Sequence, residues 1–366
     1  MKLLKFAGIA AFFAVVLLSC KTEDVNEPAF SKEKNSETGK LNVTSANSEV
    51  MAAAWYVISP EDINALEAIG FNLFFLNRAD YESMTTSVRN QFIQSCINVL
   101  NSGSKLVLPI DNFLDKNWFG SGGMEEFMNS WGTNQYVYGF LLKDDVATAP
   151  FYYPGTTNIN PDALWVYRWY YKMIRNTAEG TSNSNNTDLA PGKKVIVTLP
   201  FEYGAANSVN NYKFYINPAY NVPSGFFTPG NAWDVVMPYW YPHKTQITPA
   251  NEEYIMDVLY ADMHLCFANY LSSVIPIIQT AAESNPGNYM LEHDDDHGYD
   301  LSIQYNKFIS NSLVTSKKVA YYSANGHAGV YDNLLHKNGV WDTTQANIYY
   351  REAENLNLYH VSLHSN

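Results

Sequence analysis

Eight short apolar runs, each followed by a stretch of helical periodicity, predict a (β/α)8 TIM barrel, an α/β fold, over residues 51–366. Two further observations point the same way. The fourth run, Tyr138-Gly139-Phe140-Leu141-Leu142-Lys143-Asp144-Asp145, ends abruptly in two carboxylates. A buried parallel strand reads as such a run, and its C-terminal end lies at the mouth where α/β folds keep their chemistry. Taken alone, the same stretch also reads as a strand followed by an acidic helix start. Finally, neither Gly-x-Gly-x-x-Gly nor a P-loop follows any run, which weighs against an open doubly wound sheet. A nucleotide is not expected, and no cofactor is implied.

The barrel is preceded by two segments of different character. Lys2 and Lys5 form a basic start, residues 6–18 are apolar, and Leu17-Leu18-Ser19-Cys20 follows. That ending resembles the lipobox of bacterial lipoproteins. The resemblance implies a signal peptide over 1–19, cleavage before Cys20 and lipidation of its sulfur. Residues 20–50 are polar, with few large apolar side chains to offset the entropy of ordering, and read as a flexible tether. The acidic pair Glu23-Asp24 is similar to the export signals of surface-exposed lipoproteins in the Bacteroidetes. An outer-membrane lipoprotein on the cell surface, held to the membrane through its lipid only, is the resulting expectation.

Within the domain the elements are expected in this order. Residues 53–59 form the first strand, and 60–69 a helix with Pro60 near its start and Gly70 past its end. Residues 71–77 form the second strand, and 81–100 a helix closed by Asn101-Ser102-Gly103. The third strand is 104–111, followed by a short helix at 123–131. The fourth, 137–145, precedes an aromatic helix at 160–178. A polar loop leads to the fifth strand, 193–200, and the long segment 201–231 has the length of a functional loop. The sixth strand is 232–239 with a helix at 249–271, the seventh 273–280 with a helix at 301–313, and the eighth 317–323. A closing helix is expected over 341–356.

Composition narrows the chemistry. Aromatic residues make up 15% and charged residues only 16%, with 27 Tyr and 8 Trp. Aromatic rings enlarge a core, and they also suit a carbohydrate cleft, because sugar rings offer apolar C–H faces while their hydroxyls seek polar groups. A net charge of −13 argues against nucleic acid. Cys96 and Cys266 each lie in an apolar helical pattern, as buried free thiols do, and supply no cysteine metal site.

The strand ends predict what the mouth carries. They are Trp55 and Tyr56; Asn77 and Arg78; Asp111 and Asn112; Asp144 and Asp145; Glu202; Tyr239, Trp240, Tyr241 and His243; Gln279 and Glu283; Tyr322, Ser323 and Asn325. Carboxylates, amides and aromatics suit an uncharged polyhydroxylated ligand. The loop 292–300 clusters Glu292, His293, Asp294, Asp295, Asp296 and His297, but lacks the EF-hand spacing and reads as solvated, so no metal site is expected. His327 and His336 read as ordinary surface or core histidines.

Several of these segments carry a family resemblance. The run 138–145 resembles the Gly-aromatic-x-x-x-Asp-Glu segment of (β/α)8 glycoside hydrolases and their relatives among gut-type Bacteroidetes lipoproteins. Residues 233–242 are similar to the sixth strand of that family, 274–279 to its seventh and 319–323 to its eighth. The resemblance implies a surface-anchored glycoside hydrolase acting on a polysaccharide or host glycan. Asp145 falls at the family's acid/base Glu, shorter by one methylene, and Gln279 stands where retaining members carry a nucleophilic Glu. An amide cannot be that nucleophile.

Glycoside hydrolysis needs two carboxylates, about 5 Å apart for retention and about 6.5–9.5 Å for inversion. Asp145 is the candidate general acid, with Glu202 or Asp111 as base or nucleophile and Glu283 as a further candidate. Asp144, Tyr239, Tyr241, His243, Gln279 and Tyr322 are candidate sugar-binding residues, and Trp55 and Trp240 candidate stacking platforms. The alternative is a non-catalytic glycan-binding surface lipoprotein on a decayed barrel, which the Gln279 and Asp145 departures favour. Carbohydrate is the expected partner in both cases, and an outer-membrane glycan transporter is a candidate second one.

Overall fold

The computed structural model describes residues 50–78, 80–81, 83–110, 123–144, 161–177, 183, 186–200, 230, 232–239, 257, 271–279, 282–283, 304–306, 317–322, 324–325 and 330–364. The expected leader at 1–19, Cys20, and the tether as far as residue 49 lie outside that set, as do Cys266 and the acidic loop at 292–300.

Eight parallel strands close into a barrel in chain order. They are β1 (Met51–Val57), β2 (Leu73–Leu76), β3 (Lys105–Pro109), β4 (Val137–Lys143), β5 (Lys194–Pro200), β6 (Val235–Tyr239), β7 (Ile277–Gln279) and β8 (Lys318–Tyr322). The expected (β/α)8 class is what the chain adopts. Closure is made by β8 against β1, with Met51, Ala52, Ala53 and Ala54 opposite Lys318, Val319, Ala320 and Tyr321.

Alternation along each strand divides the core in two. Met51, Ala53, Trp55, Leu73, Phe75, Val107, Leu141, Ile196, Met237, Ile277 and Tyr322 form the barrel interior. Ala52, Ala54, Phe74, Leu106, Leu108, Phe140, Leu142, Val195 and Val197 face outward, packed in one cluster with helical residues such as Ile63, Ile93 and Ile174. Strands buried on both faces in this way explain why they read as continuous apolar runs.

The helices begin where local chemistry caps them. In α1 (Pro60–Glu67) the Ser59 hydroxyl accepts from the Asp62 amide, and the Asp62 carboxylate accepts from the Ser59 amide, a capping box with Pro60 at the first turn. Helix α2 (Thr86–Val99) starts five residues later than expected. Thr85 caps it, and the buried Arg89 guanidinium donates to the Tyr81 and Met84 carbonyls, holding the preceding residues in a turn.

Helix α3 spans Met124–Trp131. Helix α4 (Pro161–Arg175) ends before Asn176, which takes the left-handed conformation at φ 51°. Its last residue, Arg175, meets Asp234 at 2.5 Å and donates to the carbonyls of Ala190 and Lys193. The Asp234 carboxylate also accepts from the Tyr171 hydroxyl and the Val195 amide, tying α4 to the N-terminal ends of β5 and β6.

The region after β8 departs from expectation. Residues 341–347 are not helical; a hairpin pairs His336–Lys337 with Val340–Trp341 across Asn338 and Gly339, both at positive φ. The closing helix, α5, runs Ile348–His364. Asn347 sets its start by donating to the carbonyls of Asn333, Leu334 and Asp342. The helix docks on the other end of the chain, where Asn357 donates to the Ile69 carbonyl and Tyr350 to that of Ala65.

Candidate functional site

Parallel strands in a barrel deliver their C-terminal ends to one rim. At the end of β4, the Asp144 carboxylate accepts a hydrogen bond from the Thr198 hydroxyl of β5 at 2.7 Å. Thr198 has no exposed surface and follows the interior residue Ile196 by two positions, so it faces the barrel interior. The bond orients the carboxylate across the β4–β5 seam.

Aromatic residues occupy other points of the rim. Half-buried Tyr239 ends β6, in register with Pro200 and Ile277. Tyr322 ends β8, its ring edge-on to Tyr56 with centroids 5.3 Å apart. The backbone of Gln279 closes β7 opposite Tyr322. Beyond these ends a two-stranded antiparallel sheet joins Ala282–Glu283 to Val330–Asp332, coupling the loops that follow β7 and β8.

The end of β1 is irregular. Ala54 pairs with Phe74, but the next pair is Val57 with Leu76, so β1 carries one extra residue. Tyr56 sits in that bulge at φ 59°, a left-handed conformation that aromatic residues rarely take. Trp55 and Tyr56 therefore both turn toward the barrel interior, and Val57 returns to the outer core.

Two devices hold the bulge. The Ala324 amide, just past β8, donates to the Trp55 carbonyl at 2.7 Å. The Asp62 carboxylate accepts from the amides of Ile58 and Ser59 and from the Asn325 side chain. Asp62 is 2% exposed; burial raises its pKa above the ordinary range, and those hydrogen bonds work in the opposite direction.

The expected site residues are distributed as follows. Asp144, Tyr239 and Tyr322 stand at the rim together. Trp55 requires a correction as a stacking platform: it is 2% exposed, stacked on Phe75 at 4.3 Å and built into the interior. Regular alternation after Met51 and Ala53 sends Trp55 into the interior, and the bulge brings Tyr56 to the same side at the mouth. Asp111, Asp145, Glu202, Trp240, Tyr241 and His243 lie outside the described residues, as does the Gln279 side chain.

Sequence reasoning missed Thr198 and the Asp62–Asn325 link. A lone hydroxyl inside the apolar run of β5 marks the first, and the Ser59-Pro60-Glu61-Asp62 capping pattern marks half of the second. Among the described residues, no group of three or more His, Cys, Asp or Glu side chains gathers as metal ligands would.

No protein-family model matches the sequence, and no curated protein matches it significantly. Solved structures that match include a family 5 xyloglucanase from Paenibacillus pabuli, at 12% identity over 85% of this chain and 99% of that one, with a TM-score of 0.47. A GH5-4 broad specificity endoglucanase from an uncultured bacterium matches at 14% identity over 82% and 85%, TM-score 0.45. The catalytic domain of a Bacillus sp. JAMB-750 GH26 endo-beta-1,4-mannanase matches at 11% over 79% and 80%, TM-score 0.45. All three are glycoside hydrolases by description. At these values the likenesses speak to no residue and no substrate of this chain; its barrel is established by its own strand order.

Proposed function

We propose that this chain binds a carbohydrate at the C-terminal mouth of its barrel and hydrolyses a glycosidic bond there. The observation that carries the reading is the joining, at one rim, of the Asp144 carboxylate oriented by Thr198 with the rings of Tyr56, Tyr239 and Tyr322. An anionic acceptor beside aromatic surfaces suits a neutral polyhydroxylated ligand, whose hydroxyls donate while its C–H faces pack on rings.

In this reading Asp145, directly after Asp144, protonates the leaving oxygen, and Glu202 or Asp111 activates water or attacks the anomeric carbon. Asp144 binds sugar hydroxyls with Tyr239, Tyr241, His243, Gln279 and Tyr322, and Trp240 stacks on a sugar face. Lipidated Cys20 anchors the protein at the outer-membrane surface, where a glycan transporter is a candidate partner. Protease treatment of intact cells tests the location, since a surface protein is shaved and a periplasmic one is not.

A second reading, glycan capture without hydrolysis, is favoured by the amide of Gln279 at the end of β7, where a carboxylate nucleophile would serve a retaining enzyme. Full-length wild type and Asp145→Asn on a panel of plant, microbial and host glycans, scored for binding and reducing-end release, separate the two. Release lost in the variant while binding survives supports the hydrolase. Binding without release in either supports capture, and silence in both readouts refutes both.

A further inference from the structure

We infer that Tyr56 is a ligand-contacting and specificity-determining residue of the barrel mouth, the face against which a bound sugar ring packs; this rests on the carbohydrate reading above. Three observations converge on it. Tyr56 occupies a β-bulge at φ 59°, a conformation that costs a non-glycine residue free energy wherever it is not needed. The bulge has a defined result: it turns Tyr56 to the same side as Trp55, where regular alternation would have sent its ring to the outer core. And the ring is half-buried at the mouth, edge-on to Tyr322, while Trp55 and Phe75 beside it are stacked and buried.

The ring rests on the edge of the interior cluster and on Tyr322, which fix where it stands, and a glycine at position 56 would make the same bulge without strain, so what the tyrosine adds at this position is its ring at the mouth. The conformation is also held from outside. Ala324 fixes the carbonyl before it, and Asp62, bridged to Asn325, fixes the amides of Ile58 and Ser59 after it. A tyrosine kept in a left-handed turn by hydrogen bonds on both flanks presents a preorganised ring, which lowers the ordering cost of binding.

The test uses the full-length chain with Tyr56→Gly, Tyr56→Asn and Tyr56→Phe, each measured for Tm and for affinity toward whichever glycan of the panel wild type binds. Glycine and asparagine both accept the positive φ, so either carries the test if the other fails to fold. The expected result is affinity about tenfold weaker for Gly and Asn, within about twofold of wild type for Phe, and a Tm for Gly and Asn at or near that of wild type. Wild-type affinity in the Gly or Asn variant, in a folded protein, overturns the inference and leaves the carbohydrate reading standing. A wild type that binds no glycan of the panel refutes the carbohydrate reading, and the inference with it.

Discussion

Replacing His360 by Phe should remove a pH dependence of stability that this one buried imidazole imposes. Its Nε2 lies 3.1 Å from the Lys317 carbonyl and must carry the proton; its Nδ1 therefore accepts from the Tyr305 hydroxyl at 2.6 Å. The neutral ring is satisfied on both sides and has no exposed surface. Charging it is opposed first by burial and also by nearby His364, so its pKa falls to about 4 from the usual 6.5. Between those values the unfolded chain binds the proton and the folded chain does not. The resulting stability is complete above pH 6.5 and is lost as pH falls toward 4.

At about 1.4 kcal/mol per pKa unit, the full difference between 6.5 and about 4 is roughly 3 kcal/mol, of which about 2.5 is lost by pH 4.5. The variant also leaves the Tyr305 hydroxyl without its imidazole partner and takes one of two donors from the Lys317 carbonyl, which keeps the Met51 amide; the cost, about 1–3 kcal/mol for the hydroxyl, does not change over this range. Urea unfolding of wild type and His360→Phe from pH 7.5 to 4.5 separates the two effects. The gap between them should shrink by about 2.5 kcal/mol as pH falls. Asp62 and Glu67, whose carboxyl pKa values are raised by burial, act in the opposite direction, gaining stability as pH falls, but are common to both proteins. A gap that stays constant refutes the reasoning.

Other outcomes follow from the same geometry. Gly139→Ala would place a Cβ 2.3 Å from the Lys194 carbonyl oxygen of the paired strand, and should cost about 1–3 kcal/mol in denaturant unfolding. Arg175→Met should cost about 3 kcal/mol by the same assay, because it leaves the Asp234 carboxylate without its cation in a half-buried setting; the exposed Arg78–Asp80 pair should tolerate Arg78→Met with little change. Cys96 is fully buried and its thiol is pushed up to about 12, so alkylation at pH 8.5, read on the Cys96 peptide, should be absent in the native protein and complete in denaturant. Thr198→Val should leave the Tm within a few degrees of wild type yet weaken glycan binding several-fold, since Asp144 loses the hydrogen bond that Thr198 donates.

The barrel was legible because its strands are buried on both sides. Runs such as Leu73–Leu76 and Leu106–Pro109 have few other places to go, and β-then-α alternation then leaves few topologies. Helix starts set by side chains that bind carbonyls outside the helix were not legible. Arg89 delays the start of α2 by binding carbonyls of the preceding turn, and Asn347 delays α5 by binding carbonyls across a hairpin. At the mouth, residue types could be read but orientation could not. Trp55 and Tyr56 are adjacent aromatics in sequence; alternation puts Trp55 in the interior, and only the extra residue in β1 brings Tyr56 to the same side, at the rim, instead of the outer core.

The pairing of β8 with β1 has a consequence for how the chain can be cut and made. The first described strand begins at Met51 with its amide bonded to the Lys317 carbonyl, and α5 then fastens onto the carbonyls of Ala65 and Ile69. The cylinder thus has its seam between the earliest and the latest parts of the domain. A ribosome must release nearly the whole domain before that seam can shut. Until then β1 is an unpaired edge, open to association with other chains. Shortening the chain from the C-terminus should accordingly act through loss of closure, with fragments lacking β8 and α5 accumulating as aggregates rather than as smaller folded proteins.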